Sequence, residues 1–246
     1  MVMNKLICLL IASFCITAAI AQDTLHLKTK KKMEVIDRAG DHFMFQLSSD
    51  HLGGAPDSIK SHLKGFSRGF NAYLMLDKPF RGNPKMSLAF GIGVGSSNIF
   101  FQKMKLDITN NTSTTLPFVA EDSSNHFKKY KMAVSYLEIP VELRYSANPA
   151  KNGKSFKFAI GGKIGTLLNA HVMGKTLQDK NNNTIDSYKE KEISKKYFNS
   201  TRLCGTVRIG YGIVSLFGNY QFTSLLKTSE GATMNIYQIG LSFSGL

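Results

Sequence analysis

Between Tyr136 and Tyr145 the chain alternates strictly, with Leu137, Ile139, Val141, Leu143 and Tyr145 on one parity and Tyr136, Glu138, Pro140, Glu142 and Arg144 on the other. A period of two puts successive side chains on opposite sides, so this segment predicts a strand with one apolar and one polar face. The same period runs through Met86, Leu88, Phe90, Ile92 and Val94 against Lys85, Ser87, Ala89, Gly91, Gly93 and Gly95. It recurs in Phe156, Phe158 and Ile160 against Lys157, Ala159 and Gly161. Helical spacing would mix these sets. Further strands are expected at 42–48, 66–76, 198–211, 215–224 and 235–243, which makes eight strands and no helix.

The links alternate in length. Those at 49–65, 102–134 and 170–197 are long, whereas Asp77 to Pro84, Asn148 to Gly153 and Gly210-Tyr211-Gly212 are short and rich in turn-forming Gly, Pro, Asn and Asp. One end of the sheet is therefore looped and the other tight. Membrane barrels of the bacterial outer membrane combine an even strand number, short periplasmic turns, longer outer loops and alternating segments of about ten residues. All four features are present. Lipid offers no partner to a backbone N–H or C=O, so a spanning sheet must close on itself. The expected fold is all-β: an eight-stranded antiparallel up-and-down transmembrane β-barrel with both termini periplasmic. Eight strands leave a lumen just wide enough for side chains to fill.

Period alone does not say which face lies outside, because a soluble lipocalin-like barrel shows the same alternation. The polar parity carries Glu138, Glu142, Arg144, Lys157, Lys163, Arg202 and Arg208 among many glycines, alanines and serines. Paired charges beside small residues suit a narrow lumen and favour lipid on the apolar side. Trp is absent, so interfacial girdles must come from Phe and from Tyr73, Tyr136, Tyr145, Tyr197, Tyr211, Tyr220 and Tyr237. Pro140 lacks a ladder donor inside the clearest strand and is expected to mark a bulge.

Residues 1–21 read as an export signal: a positive start at Lys5, an apolar run from Leu6 to Ile16, and Ala19-Ile20-Ala21 before Gln22. The run is shorter than the ~20 residues that span a bilayer. Phe14 before Cys15 does not fit a lipid-attachment site. The expected organisation is a cleaved signal peptide at 1–21, a periplasmic segment at 22–40 and the barrel at 41–246. Beyond Gln22 no apolar run approaches a spanning helix.

Charge and chemistry then narrow the function. Lys and Arg outnumber Asp and Glu by 31 to 17, and of these only Lys5 lies in 1–21, so a net +13 remains after cleavage. That balance suits an anionic partner. Outer-membrane lipid and lipopolysaccharide are expected, together with an unidentified cell-envelope protein; nucleic acid does not belong to this compartment. Lys28, Lys30, Lys31 and Lys32 read as a solvated periplasmic tail, and the lysines of 172–196 as part of a polar outer loop. Cys8 and Cys15 fall in the signal, and Cys204 alone cannot form a disulfide or a cysteine zinc site. His26, His42, His51, His62, His126 and His171 show no metal-ligand spacing and read as loop or lumen residues. Gly91 to Gly95 does not continue into a nucleotide-binding loop, and Gly65-Phe66-Ser67-Arg68-Gly69 spells G-x-S-x-G only at the start of the expected strand 66–76, with no helix after it to make a nucleophile elbow. Glu138 and Glu142 admit an acid/base reading, but bases on the same parity favour a lumenal salt-bridge network. No catalytic, cofactor-binding or metal-binding residue is expected, and no cofactor.

Four segments resemble the PorT-like outer-membrane β-barrel proteins of Gram-negative bacteria. They are Ala55 to Lys60 followed by Gly65 to Asn71; Ala89 to Ile99; Tyr136 to Tyr145, whose Tyr-Leu-Glu-Ile-Pro start is the most specific; and Ile239 to Phe243. The likeness spans about residue 42 to the end. The chain departs from the family pattern at its end, where Ser244-Gly245-Leu246 follow Phe243. The resemblance implies an outer-membrane location and a small barrel, with no catalytic residues. The function expected is that of a structural or interaction protein of the cell surface, acting through its outer loops around a filled lumen. A narrow pore or small-solute carrier is the alternative, followed by an outer-membrane enzyme and a soluble lipocalin-like carrier.

Overall fold

A computed structural model describes residues 42–122, 124–227 and 233–244. The expected signal at 1–21 and the expected periplasmic segment at 22–40 lie outside the described residues. Eleven strands are present among the described residues: β1 (Phe43–Gly53), β2 (Ser67–Phe80), β3 (Asn83–Phe101), β4 (Met104–Leu106), β5 (Phe118–Ala120), β6 (His126–Ser146), β7 (Phe156–Gln178), β8 (Thr184–Ile193), β9 (Thr201–Tyr211), β10 (Val214–Gln221) and β11 (Asn235–Ser244). A four-residue helix, α1 (Asp57–Lys60), and a short 3-10 turn at Pro149–Lys154 complete the set.

Eight strands close a ring in the order β1-β2-β3-β6-β7-β9-β10-β11, every pair antiparallel, with β11 returning to β1. Each expected strand has a counterpart. The register shows how the ring closes. Followed through β1, β2 and β3, the row containing Ile239 reaches β6 at Ala133. Followed through β10, β9 and β7, it reaches β6 at Leu143, ten residues away. A stagger of this size is what tilts the strands of a closed barrel by about 35–45°.

The apolar parity faces outward. Ile139 is 50% exposed and its neighbour Glu138 1%, and this contrast decides the question that the period left open. A continuous apolar wall around a polar interior is stable only in lipid. The tight links Arg81-Gly82, 147–155 and Gly212-Ile213 share one end with the start of β1 and the end of β11. The long links 54–66, 102–125, 179–200 and 222–234 share the other. Aromatic side chains collect at both rims: Phe43, Phe80, Tyr145, Phe156 and Tyr211 at the tight end, Phe66, Tyr220, Phe222 and Tyr237 at the looped end. Tyr73, Tyr136 and Tyr197 are buried instead, so they belong to the interior and not to a girdle.

Two expectations are corrected. Pro140 marks no bulge: it pairs with Lys163, and the register of β6 runs unbroken from Tyr136 to Ser146. The ladder to β3 skips Pro140 between the pairs Phe90↔Val141 and Gly93↔Glu138 without shifting register, so the sheet tolerates the missing donor in place. Nor are 102–134 and 170–197 simple polar loops. A tilted strand crosses a bilayer in about 9–11 residues, and β1, β9, β10 and β11 have 11, 11, 8 and 10. Strands β3, β6 and β7 have 19, 21 and 23. The outer halves of β6 and β7 continue beyond the ring as a sheet, joined along β6 by the last residues of β3 and extended by β8, which pairs with His171 to Gln178. This projecting tongue is the feature that the sequence reading missed.

A register shift between Ser135 and Tyr136 of β6, opposite Leu168 of β7, divides ring from tongue. Below it Ala159, Lys163 and Leu167 point inward; above it Ala170 and Val172 do, while Leu168 is left outside. One extra residue thus resets the parity of β7. The mouth of the barrel is stoppered by apolar side chains, among them Phe101, Leu106, Ile108, Tyr136, Phe198 and Leu225. Met104, Leu106, Ile108 and Leu116 come from the 102–125 link. The small β4–β5 hairpin of that link is pinned by Tyr130, whose hydroxyl bonds both the N–H and the carbonyl of Leu106 at 3.0 Å.

Candidate functional site

Beneath the apolar stopper the lumen is filled by two ion-pair clusters. In the upper one, Arg202 donates from Nη1 to Oε1 of Glu138 at 3.1 Å, and Lys163 Nζ lies 3.7 Å from Oε2. The hydroxyl of Tyr73 donates to Oε2 of Glu138 and accepts from Lys163 at 3.0 Å. In the lower cluster, Oε2 of Glu142 accepts from Arg144 and from Arg208, both at 2.9 Å, and Arg208 also donates to Ser244 at 2.8 Å. Glu138, Glu142, Arg144, Lys163, Arg202 and Arg208 are all buried, as their shared parity implied. Lys157 is half-buried at the lower end of β7.

A third polar group was not anticipated. Ser48 donates to Asp50, and the Gln238 amide donates to both oxygens of Asp50 at 3.0 and 3.1 Å and to Ser97 at 3.2 Å. Nearby, Asn71 donates to Gln46 at 3.1 Å. The alternation Gln46, Ser48, Asp50 against Phe45, Leu47 is visible in the chain, but it lies across the point where the expected strand ended. Each of Asp50, Glu138 and Glu142 is held by at least two donors. The arrangement is a plug.

Glycines on the inward parity of β3 make room for it. A Cβ at Gly93 would lie 2.5 Å from the Tyr73 ring, and one at Gly95 would lie 2.8 Å from a Glu138 oxygen. Large side chains of neighbouring strands lie over these glycines.

Ser61, His62 and Asp122 are in line, with Oγ of Ser61 3.1 Å from Nδ1 and Asp122 3.1 Å from Nε2. The carbonyl of Ser58 also lies 2.8 Å from Nδ1. That nitrogen therefore carries a proton and cannot take one from Ser61, so the trio anchors a loop. Both ring nitrogens face acceptors, and the Ser58 carbonyl, followed by Asp122, raises His62 above the usual imidazole pKa. A raised folded pKa contributes anchoring that is complete below about 6.5 and is lost as pH rises through the folded value. Protease cleavage within 54–66 is accordingly expected to accelerate across that rise, and Asp122→Asn should flatten the profile. The other histidines scatter: His51 stacks on Tyr237 and His171 lies beside Asn169, both on strands rather than in loops or lumen. Among the described residues no cluster of three His, Cys, Asp or Glu side chains stands ready for a metal.

What remains is the looped end. Tyr197 donates to the carbonyls of Asn110 and Ser113 at 2.7 and 3.1 Å, tying two long links together. Lys105 of the hairpin donates to Glu190 of β8 at 3.0 Å, tying the hairpin to the tongue. The result is a braced platform above the bilayer.

Solved structures of the attachment invasion locus protein Ail of Yersinia pestis, alone and with the heparin analogue sucrose octasulfate, are each 9% identical to this chain. Each match covers 82% of this chain and 95% of Ail, with a TM-score of 0.32. No curated protein matches the sequence. The model of the outer membrane protein beta-barrel domain, by contrast, matches residues 39–229. That span runs from just before β1 through β10, and it agrees with the closed ring, the apolar outer wall and the filled polar lumen: the chain belongs to the outer membrane β-barrel domain family.

Proposed function

We propose that this barrel is an interaction protein of the cell surface, working through its outer links and tongue. One observation carries the reading: β6 and β7 run about twice the length a bilayer needs and, with β8, build a braced sheet outside it. Strand residues beyond the membrane contribute nothing to spanning it, whereas a rigid platform lowers the entropy cost of binding a partner. The proposal includes export through residues 1–21, a periplasmic segment at 22–40, and kinship with the PorT-like members, supported by the segments quoted above. Its partners are outer-membrane lipid, including lipopolysaccharide, and an envelope protein. It needs no catalysis.

An epitope placed at Asn181, in the turn between β7 and β8, tests the reading. Antibody should label intact cells, and the outer-membrane fraction should contain a heat-modifiable band; an epitope reached only after lysis overturns it. The pore alternative gives a separate expectation. With Glu138, Glu142 and their partners filling the lumen below an apolar stopper, the full chain in a planar bilayer is expected to show no stable conductance. Steady single-channel steps would favour the pore.

A further inference from the structure

Above the bulge at Leu168, β6, β7 and β8 lie in register, and one face of the tongue collects positive charge. Lys129 stands opposite Lys175, and Lys175 opposite Lys189. Two residues nearer the membrane, Lys131 pairs with Met173 and Met173 with Lys191. The next row is Ala133, His171 and Ile193. None of these rows contains an acid. Of the three acids of β8, Glu190 and Glu192 turn to the other face, where Glu190 holds Lys105, and Asp186 stands opposite Leu177, beyond the lysine rows. Like charges directly opposite one another destabilise a sheet, and here they do so across three strands. Burial, then Lys191, depresses the Lys131 ammonium; burial, then Lys191 and Lys131, depresses His171. The fold separates charge in a way its own stability does not reward.

The height of this face is set by the stagger of the ring. The row of Ile239 meets β6 at Ala133 one way and at Leu143 the other, so the point of β6 level with Ile239 is midway, at Glu138. At ~3.3 Å per residue and a ~45° tilt, Lys131 and Lys129 stand roughly 16 and 21 Å above that level. Ile239 is the middle of the three exposed apolar side chains of β11, Tyr237, Ile239 and Leu241, and half of a ~25 Å apolar band centred on it is about 12 Å. The lysines therefore stand at the level of the lipid headgroups. They also share the outward face of the wall below, where Leu168 and Ile193 are exposed.

We propose that Lys129, Lys131, Lys175, Lys189 and Lys191 bind the phosphate groups of glycolipid in the outer leaflet. The inference rests on the reading above, in which the tongue stands outside the outer membrane. The sideways aim of the grid, its continuity with the apolar wall and its height favour a membrane lipid over a soluble polyanion, which upward-facing loops would receive.

The test uses the full chain in neutral detergent micelles and native mass spectrometry, with bis-phosphorylated lipid A as probe. Wild type should retain it and not its dephosphorylated counterpart. Lys129→Gln/Lys175→Gln/Lys189→Gln should weaken retention on the order of a hundredfold, at roughly 1 kcal/mol for each lysine beside an anionic surface. The variant should remain heat-modifiable, since it relieves repulsion; should it not fold, Lys131→Gln/Lys191→Gln is read in the same way. Equal retention by wild type and variant, or of the two lipids, overturns the proposal. So does displacement of the lipid by inorganic phosphate or a sulfated polysaccharide at matched anion concentration, which would make the occupant a soluble anion. Labelling of the Asn181 epitope on intact cells keeps the two failures apart: a labelled tongue without lipid retention sinks only this inference.

Discussion

Glu138→Ala is expected to destabilise the barrel by about 3–5 kcal/mol, the cost of leaving buried charges without their partner. Arg202 and Lys163 both face this carboxylate and both are buried. Its removal leaves two cations in an interior that has no other acid within ion-pair distance of them among the described residues. Against a typical total of 5–15 kcal/mol, such a loss should move the urea midpoint of heat-modifiability in lipid vesicles far downward. Glu138→Gln keeps an acceptor for Tyr73 and should fall between the two. The combination Glu138→Leu/Lys163→Met/Arg202→Met removes the charges together and should recover most of the loss, because an apolar set of similar volume replaces a buried ion cluster at little cost. An unchanged midpoint in Glu138→Ala would mean that water reaches the cluster and the lumen is not plugged.

The second large effect is expected at Gly93. A Cβ there would meet the Ala72 carbonyl on the neighbouring strand and the Tyr73 ring, so Gly93→Val cannot be absorbed by one flexible side chain. Overpacking costs about 1–3 kcal/mol by itself. Here it also moves Tyr73, whose hydroxyl bridges Glu138 and Lys163, so a loss of about 3 kcal/mol or more is expected from the same urea titration. Gly205→Val serves as the control: it faces outward beside Phe222, a side chain with lipid to move into. Its midpoint should stay close to wild type. Equal losses at the two positions would show that any branched residue harms these strands, and that the space above Gly93 is not special.

Most of the ring was legible because a strand's two faces are written into every other residue. Leu137, Ile139, Val141 and Leu143 announce an outer wall wherever the strand pairs, and the charges on the opposite parity announce an interior. Asp50 escaped because its strand was ended early, at Leu47-Ser48, where the apolar signal stops but the polar one continues. The tyrosines were misplaced for a different reason. Tyr73 and Tyr136 have the same composition signal as Tyr145 and Tyr211, and only parity relative to the wall separates the plug from the girdle.

The tongue was harder to read. From Lys128 to Ser135 and from Asn169 to Gln178 polar side chains dominate one face, which looks like loop in a chain whose strands are recognised by lipid-facing hydrophobics. Above the membrane the outward face meets water and headgroups, so the apolar half of the alternation moves inward to Tyr130, Met132, Val134, Ala170 and Val172. The bulge at Leu168 then shifts the phase of β7 by one residue, and a strict period-two search loses the strand there.

By itself the sequence determined the local facts: where strands form, which residues share a face, which links are tight, and that a closed ring of eight would have to be filled. These follow from side-chain alternation and turn chemistry, which act over a few residues. Only the tertiary structure decided which face meets lipid, which acid meets which base, where the mouth is stoppered, and that Lys129, Lys175 and Lys189 stand side by side. Those are matters of register between strands tens of residues apart. They are set by the closure and stagger of the whole barrel, to which every strand contributes.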